Sequence, residues 1–215
     1  MTPGGLLARV VRSGTVESVH TGHLLVTGSD GATVLAVGDP DALVWPRSSL
    51  KPIQALAMLR AGLVVDDEEL ALACSSHSGT DAHLAVVRRV LAGAGLTEAD
   101  LQNTPDRPLD PAAAGARDAA DGGSSLTQNC SGKHAAMLAT CVAAGWDPGT
   151  YRDPHHPLQR LVRDVVGEVT GVPVERVGVD GCGAPLLSTT VRGLARAFGR
   201  IAAAPTREPR TDLAR

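Results

Sequence analysis

Residues 46–63 read PRSSLKPIQALAMLRAGL, and the class of the fold follows from how this stretch is read. Ile53, Leu56, Ala57 and Leu59 recur at helical spacing, which predicts a buried helix ending near Gly62. Pro52 falls in the first turn, where a missing N–H costs little because that donor has no intrahelical partner. The same stretch opens on Ser48-Ser49-Leu50-Lys51, so a hydroxyl and an amine three positions apart share one helical face. If burial and the helix N-terminus lower the lysine from its usual pKa of ~10.4, the neutral amine can take a serine proton. The plain alternative is a capping serine followed by a solvated lysine.

Upstream, LLARVV, ESVHTGHLLV and ATVLAV alternate apolar and other residues over 6–36, with a Gly28-Ser29-Asp30-Gly31 turn; this reads as a β-hairpin. Downstream, Asp66 or Asp67 is expected to cap EELALACSS. Ser78 or Thr80 should cap DAHLAVVRRVLAGAG, whose Leu84, Val87 and Leu91 fall on one face. Residues 103–125 turn to Pro, Ala, Gly, Asp and Ser and read as a surface excursion without assigned structure. SGKHAAMLATCVAAG is strongly helical, and HPLQRLVRDVVGEVTG is a helix opened by proline and closed by Gly171. VERVGVD reads as a short strand, Leu186 to Ala204 as a last amphipathic helix, and 203–215 as a polar tail. This order, strands then helices then one strand, predicts a single α+β domain.

Hydrophobic residues make up 43% and aromatic ones 2% of the 215 residues, so the core is expected to be Ala, Val and Leu in closely packed helices. A net charge of −3 without a basic stripe speaks against a nucleic-acid partner. No apolar segment reaches the roughly 18 residues that cross a bilayer, which speaks against a membrane one. The first residues lack the pattern of a signal peptide, so a cytoplasmic location is expected. Cys74, Cys130, Cys141 and Cys182 are too scattered for a disulfide framework and are expected to be reduced thiols.

Two further motifs could carry chemistry. In Asn129-Cys130-Ser131-Gly132-Lys133-His134, a thiol and an amine share a face at a loop-to-helix junction, where the helix N-terminus favours a thiolate. The alternative is a capping Asn129 or Ser131 with an inert buried cysteine. In Val179-Asp180-Gly181-Cys182-Gly183-Ala184-Pro185, glycines flank a cysteine just past a strand, a place for function or simply a tight turn. Cys130 and Cys182 could together hold zinc, with a third ligand from His134, Lys133 or an acid. Ser75-Ser76-His77-Ser78-Gly79 adds hydroxyls and an imidazole that also suit helix-end capping, with His77 a surface or satisfied core residue. Cys74 and Cys141 read as core, and His155-His156 as loop.

The blocks PRSSLKPIQALAML, ACSSHSGTDAH, NCSGKHAAMLA, DPHHPLQ and GVDGCGAPLLS, in this order and at this spacing, resemble the L-asparaginase II family from about residue 8 to about residue 202. The resemblance implies a fold similar to serine β-lactamases and penicillin-binding proteins. It also implies hydrolysis of the side-chain amide of L-asparagine, a small-molecule substrate, to L-aspartate and ammonia, and a homodimer as the assembly. Position by position, Ser48 and Lys51 match the family's first Ser-Lys pair with Ser48 as nucleophile, and Ser76 matches the serine of its second. Cys130, Lys133 and Cys182 match its zinc ligands, the zinc being structural or substrate-orienting. Arg47, His134 and Asp180 match residues lining the substrate pocket, with Asp180 meeting the amino or carboxyl end of the substrate. The family's second lysine belongs to a Lys-x-Gly block that would lie beyond Arg215, so a shortened chain with an incomplete sheet is expected. Two other readings stay open: a penicillin-recognising acyl-serine enzyme, whose Ser-Asp-Asn and Lys-Thr-Gly blocks do not occur here, and a non-catalytic interaction module.

Overall fold

In the computed structural model, which describes residues 3–116 and 123–204, the buried helix forms as expected. A 3-10 turn at Arg47–Leu50 leads into α1 (Lys51–Arg60), with Pro52 in its first turn. Ile53, Ala55, Leu56, Ala57 and Met58 are all buried, so α1 lies inside the molecule rather than on it. It packs against α5 (Ser131–Ala144) and α6 (Pro157–Thr170). Ala57 in α1 and Ala135 and Ala136 in α5 are fully buried, and their small side chains suit closely packed helices.

Two helices cover α5. α2 (Asp67–Ala73) starts at Asp66, whose carboxylate accepts from Glu69 N while the Glu69 carboxylate accepts from Asp66 N, a reciprocal capping box. α3 (Asp81–Gly93) starts after Thr80 and buries Leu84, Val87 and Leu91, the face expected from their spacing. α4 (Pro111–Gly115) is a single turn, and α7 (Val191–Ala202) packs on α6. α5 and α6 both end on left-handed glycines, Gly145 and Gly171.

Among the described residues the strands pair antiparallel in four two-stranded sheets. β1 (Gly5–Arg12) pairs with β2 (Thr15–Gly22), and β3 (Leu24–Thr27) with β4 (Thr33–Val37). β5 (Leu43–Val44) pairs with β8 (Thr189–Thr190), and β6 (Val177–Val179) with β7 (Pro185–Leu187). The class is α+β.

Several details differ from the reading of the sequence. The N-terminal segment makes two hairpins rather than one, because Ser13 and Gly14 both take positive φ and turn the chain between β1 and β2. The last helix begins at Val191, not Leu186: Pro185 to Thr190 go into β7 and β8, and the Thr190 hydroxyl caps the helix by accepting from Gly193 N. The excursion at 103–125 is partly internal, since Asn103 is 1% exposed and Asp106 bridges to Ser124; its residues 117–122 lie outside the described residues. His155 and His156 lie in loop as read, but His156 is buried, and its Nδ1 caps α6 by accepting from Leu158 N. Residues 205–215 of the polar tail also lie outside the described residues. Among the described residues no helix is long and apolar enough to cross a membrane.

Candidate active site

Gly132, in the first turn of α5, sets the geometry. A Cβ there would stand 2.9 Å from the Leu72 carbonyl oxygen, so only glycine lets the start of α5 lie against the end of α2. This contact brings Cys130 and Lys133 beside the segment that follows α2, Ser75-Ser76-His77.

Lys51 reaches the same place from α1. It is 1% exposed, and its Nζ donates to the Ser75 carbonyl at 2.6 Å and lies 2.9 Å from Ser76 Oγ. Burial lowers its pKa from the usual lysine value, Lys133 adds to the lowering, and Cys130 opposes it. Ser48, one turn earlier, is exposed, and its hydroxyl makes no hydrogen bond with the described residues. The amine of Lys51 therefore bonds Ser76 and not Ser48.

The third wall is the turn after β6. Gly183 N donates to the Asp180 carbonyl and Asp180 N to the Ala184 carbonyl, folding Cys182 inward. Gly183 has a φ of +84°, and Arg152 packs where a side chain would be, so no other residue fits easily. Cys182 is buried with Cys130 and Ala184, and Lys133 Nζ donates to its sulfur at 3.3 Å. Of the two thiols, Cys130 is the one whose pKa is lowered. The hydrogen bond from Cys182 brings it down to about 5, with Lys133 and Lys51 helping, while donating that bond pushes Cys182 up. Cys130 N in turn donates to Gln128 Oε1 at 3.0 Å, which also receives Asn103 Nδ2 at 2.9 Å.

At the rim, Arg47 Nη2 pairs with Asp180 Oδ1 at 2.7 Å, tying the turn that carries Ser48 to the turn that carries Cys182. Arg47 has a φ of +51°, a left-handed conformation rare for a residue with a side chain. Behind the thiols, His134 is fully buried, with Nδ1 2.7 Å from the Tyr151 hydroxyl and Nε2 without a partner in hydrogen-bond geometry. Burial lowers His134 to about 4, and the adjacent Cys182 works against that; burial raises Tyr151 to about 12. His77 is also buried. Its Nδ1 accepts from Gly79 N at 3.1 Å, its Nε2 lies 2.7 Å from Ser131 Oγ, and Ser131 Oγ donates to the Leu126 carbonyl. Burial, with His83 and Lys51, lowers it to about 4.

Among the described residues no group of three His, Cys, Asp or Glu is placed to hold a metal ion. A metal here would need the Lys133 amine beside the two sulfurs, and the donor set fits: two soft thiols, one already inclined to ionise, and an amine in contact with the other.

The chain matches the family model of L-asparaginase II over residues 8–215. It belongs to the L-asparaginase II family. Membership makes the protein an asparaginase-type amidohydrolase acting on a small molecule. A search of curated proteins finds no match. Of the residues expected from the sequence, Lys51, Ser76, Cys130, Lys133, His134 and Cys182 come together, Arg47 and Asp180 pair at the edge, and Ser48 makes no hydrogen bond to the buried amine. The sequence reading missed Asn103, Gln128 and Tyr151, which support the thiols and the imidazole from behind. Tyr151, the chain's one tyrosine, could have been noticed, since a chain so poor in aromatics has few large side chains to spend.

Proposed function

We propose that the protein is an L-asparaginase that hydrolyses the side-chain amide of L-asparagine through an acyl-serine intermediate, in a fold of the serine β-lactamase and penicillin-binding-protein kind. The observation that carries this reading is the buried amine of Lys51, held below its usual pKa and in contact with a serine hydroxyl. A neutral lysine is a competent base. In this mechanism a serine oxygen attacks the amide carbon while its proton passes to Lys51 Nζ. The tetrahedral adduct collapses, the same proton goes to the leaving nitrogen, and ammonia departs. Water, deprotonated by the amine, then cleaves the ester and releases L-aspartate.

Ser48 is the nucleophile that the family pattern assigns, with Ser76 in a second role. The hydrogen bond between Lys51 and Ser76 favours a second assignment in which Ser76 attacks. Trapping the acyl-enzyme with a slow ester analogue of asparagine and mapping the modified peptide separates them: the ester falls on residues 46–51 in the first case and on 75–79 in the second. Arg47 and Asp180 are the charged groups available to the substrate's α-carboxylate and α-ammonium. Cys130, Cys182 and Lys133 would hold zinc, which when bound supplies a fixed positive charge that orients the substrate. Thiolate ligands require reducing surroundings, which supports a cytoplasmic location.

Ammonia release from L-asparagine, with L-glutamine and a fluorescent penicillin run alongside, tests the proposal. Release from asparagine alone supports it, and covalent labelling by the penicillin without ammonia release would replace it with an acyl-serine enzyme of the other kind.

A further inference from the structure

We propose that Tyr151 is a positioning residue, holding the His134 ring with its proton on Nε2, beside Cys182. The proposal rests on the reading of Cys130, Lys133 and Cys182 as a metal-holding set for its consequence, and on hydrogen-bond geometry alone for the tautomer.

The direction of each bond follows from what each atom can do. A backbone N–H can only donate, and that of Gln102 points at the Tyr151 hydroxyl oxygen at 3.2 Å. The oxygen therefore accepts there. Its own hydrogen needs an acceptor, and among the described residues the one in hydrogen-bond contact is His134 Nδ1, at 2.7 Å. The reverse polarity, Nδ1–H donating to the tyrosine, would leave the hydroxyl hydrogen without an acceptor on a side chain with no exposed surface, the costly arrangement in a protein interior. With Nδ1 accepting, a neutral imidazole carries its proton on Nε2. That nitrogen is the atom without a partner in hydrogen-bond geometry, and the acceptor beside the ring is the Cys182 sulfur. Two consecutive residues of α5 then address one sulfur: Lys133 through its amine at 3.3 Å and His134 through its ring.

The scaffold that fixes the tyrosine is itself pinned. Gln102 Nε2 donates to the Gly149 carbonyl at 2.8 Å, Arg152 Nε donates to Gln102 Oε1 at 3.2 Å, and Gln159 Nε2 holds the Tyr151 carbonyl at 2.7 Å. The ring planes of His134 and Tyr151 stand at 79°, edge to face, with centroids 5.6 Å apart. In this arrangement the His134 N–H lies beside the sulfur of a ligand without itself being a ligand, the place from which outer neighbours generally tune metal ligands.

Long-range proton–nitrogen correlation spectra of the full chain labelled with nitrogen-15 histidine test this, with His134→Gln identifying the signal among seven histidines. The expected wild-type pattern is a neutral ring protonated on Nε2. In Tyr151→Phe the ring should shift toward the Nδ1 tautomer, and zinc affinity, measured by competition with a chromogenic chelator, should fall roughly 10- to 100-fold. A wild-type ring protonated on Nδ1, or a ring in Tyr151→Phe that keeps its tautomer, overturns the proposal; an unchanged zinc affinity overturns the link to Cys182. The wild-type spectrum decides the tautomer even if the variant does not fold. Neither readout depends on turnover, so failure of the asparaginase reading and failure of this one are told apart.

Discussion

At the scale of single residues, the site is built from groups that burial has moved away from their solution behaviour. Desolvation lowers the pKa of Lys51 most, and the Lys133 charge lowers it further, against the opposing pull of Cys130. Replacing it with methionine, close in length and at home in a core, should leave the protein folded and reduce ammonia release by about 10²- to 10⁴-fold, as steady-state assays would read. Asp180 holds Arg47 at the rim. Asp180→Asn should raise KM for asparagine roughly tenfold or more with a smaller change in kcat, because it removes a charged contact made in ground and transition states alike. His77 makes a prediction about pH. Its unfolded form titrates near 6.5 and its folded form at about 4, so between these values the unfolded chain binds the proton and the folded one does not. Stability is then whole above pH ~6.5 and falls as the pH drops toward 4, by about 3 kcal/mol from this group. Urea midpoints measured at several pH values should show that slope in the wild type and a shallower one in His77→Gln.

At the scale of elements, the helices were legible where a period and its punctuation agreed. α1, α3, α5 and α6 lie where apolar spacing, the first-turn prolines of α1 and α6 and the closing glycines of α5 and α6 put them, because local and tertiary preferences coincide there. Pro185 to Thr190 were misread for the opposite reason: Leu186 and Leu187 suit a helix face as well as a strand, and what decides is the pairing of Thr189 and Thr190 with Val44 and Leu43, far off in sequence. Asn103 was lost in a stretch of turn-forming composition, since nothing local shows that its amide is spent on Ser125 and Gln128. The packing of α5 on α2 rests on Gly132. Gly132→Ala should force the two helices apart and lower stability by about 1–3 kcal/mol, seen as a lower denaturation midpoint, with a loss of activity larger than the loss of folded protein.

At the scale of the whole molecule, four distant segments converge: the start of α1, the segment after α2, the start of α5 and the turn after β6. The sequence blocks named nearly all the participants, because chemistry-bearing residues came in recognisable groups. They did not state which hydroxyl meets which amine. Ser48 and Lys51 are neighbours by spacing, yet the 3-10 turn at Arg47–Leu50 leaves the hydroxyl exposed while the amine turns inward to Ser76. The central claim is that this buried amine activates a serine for hydrolysis of asparagine, and the most direct measurement is the ammonia released from L-asparagine by the wild-type protein and by Lys51→Met, each checked for native circular dichroism. The account predicts steady release by the wild type and its near-complete loss in the variant; equal rates from two equally folded proteins would contradict it.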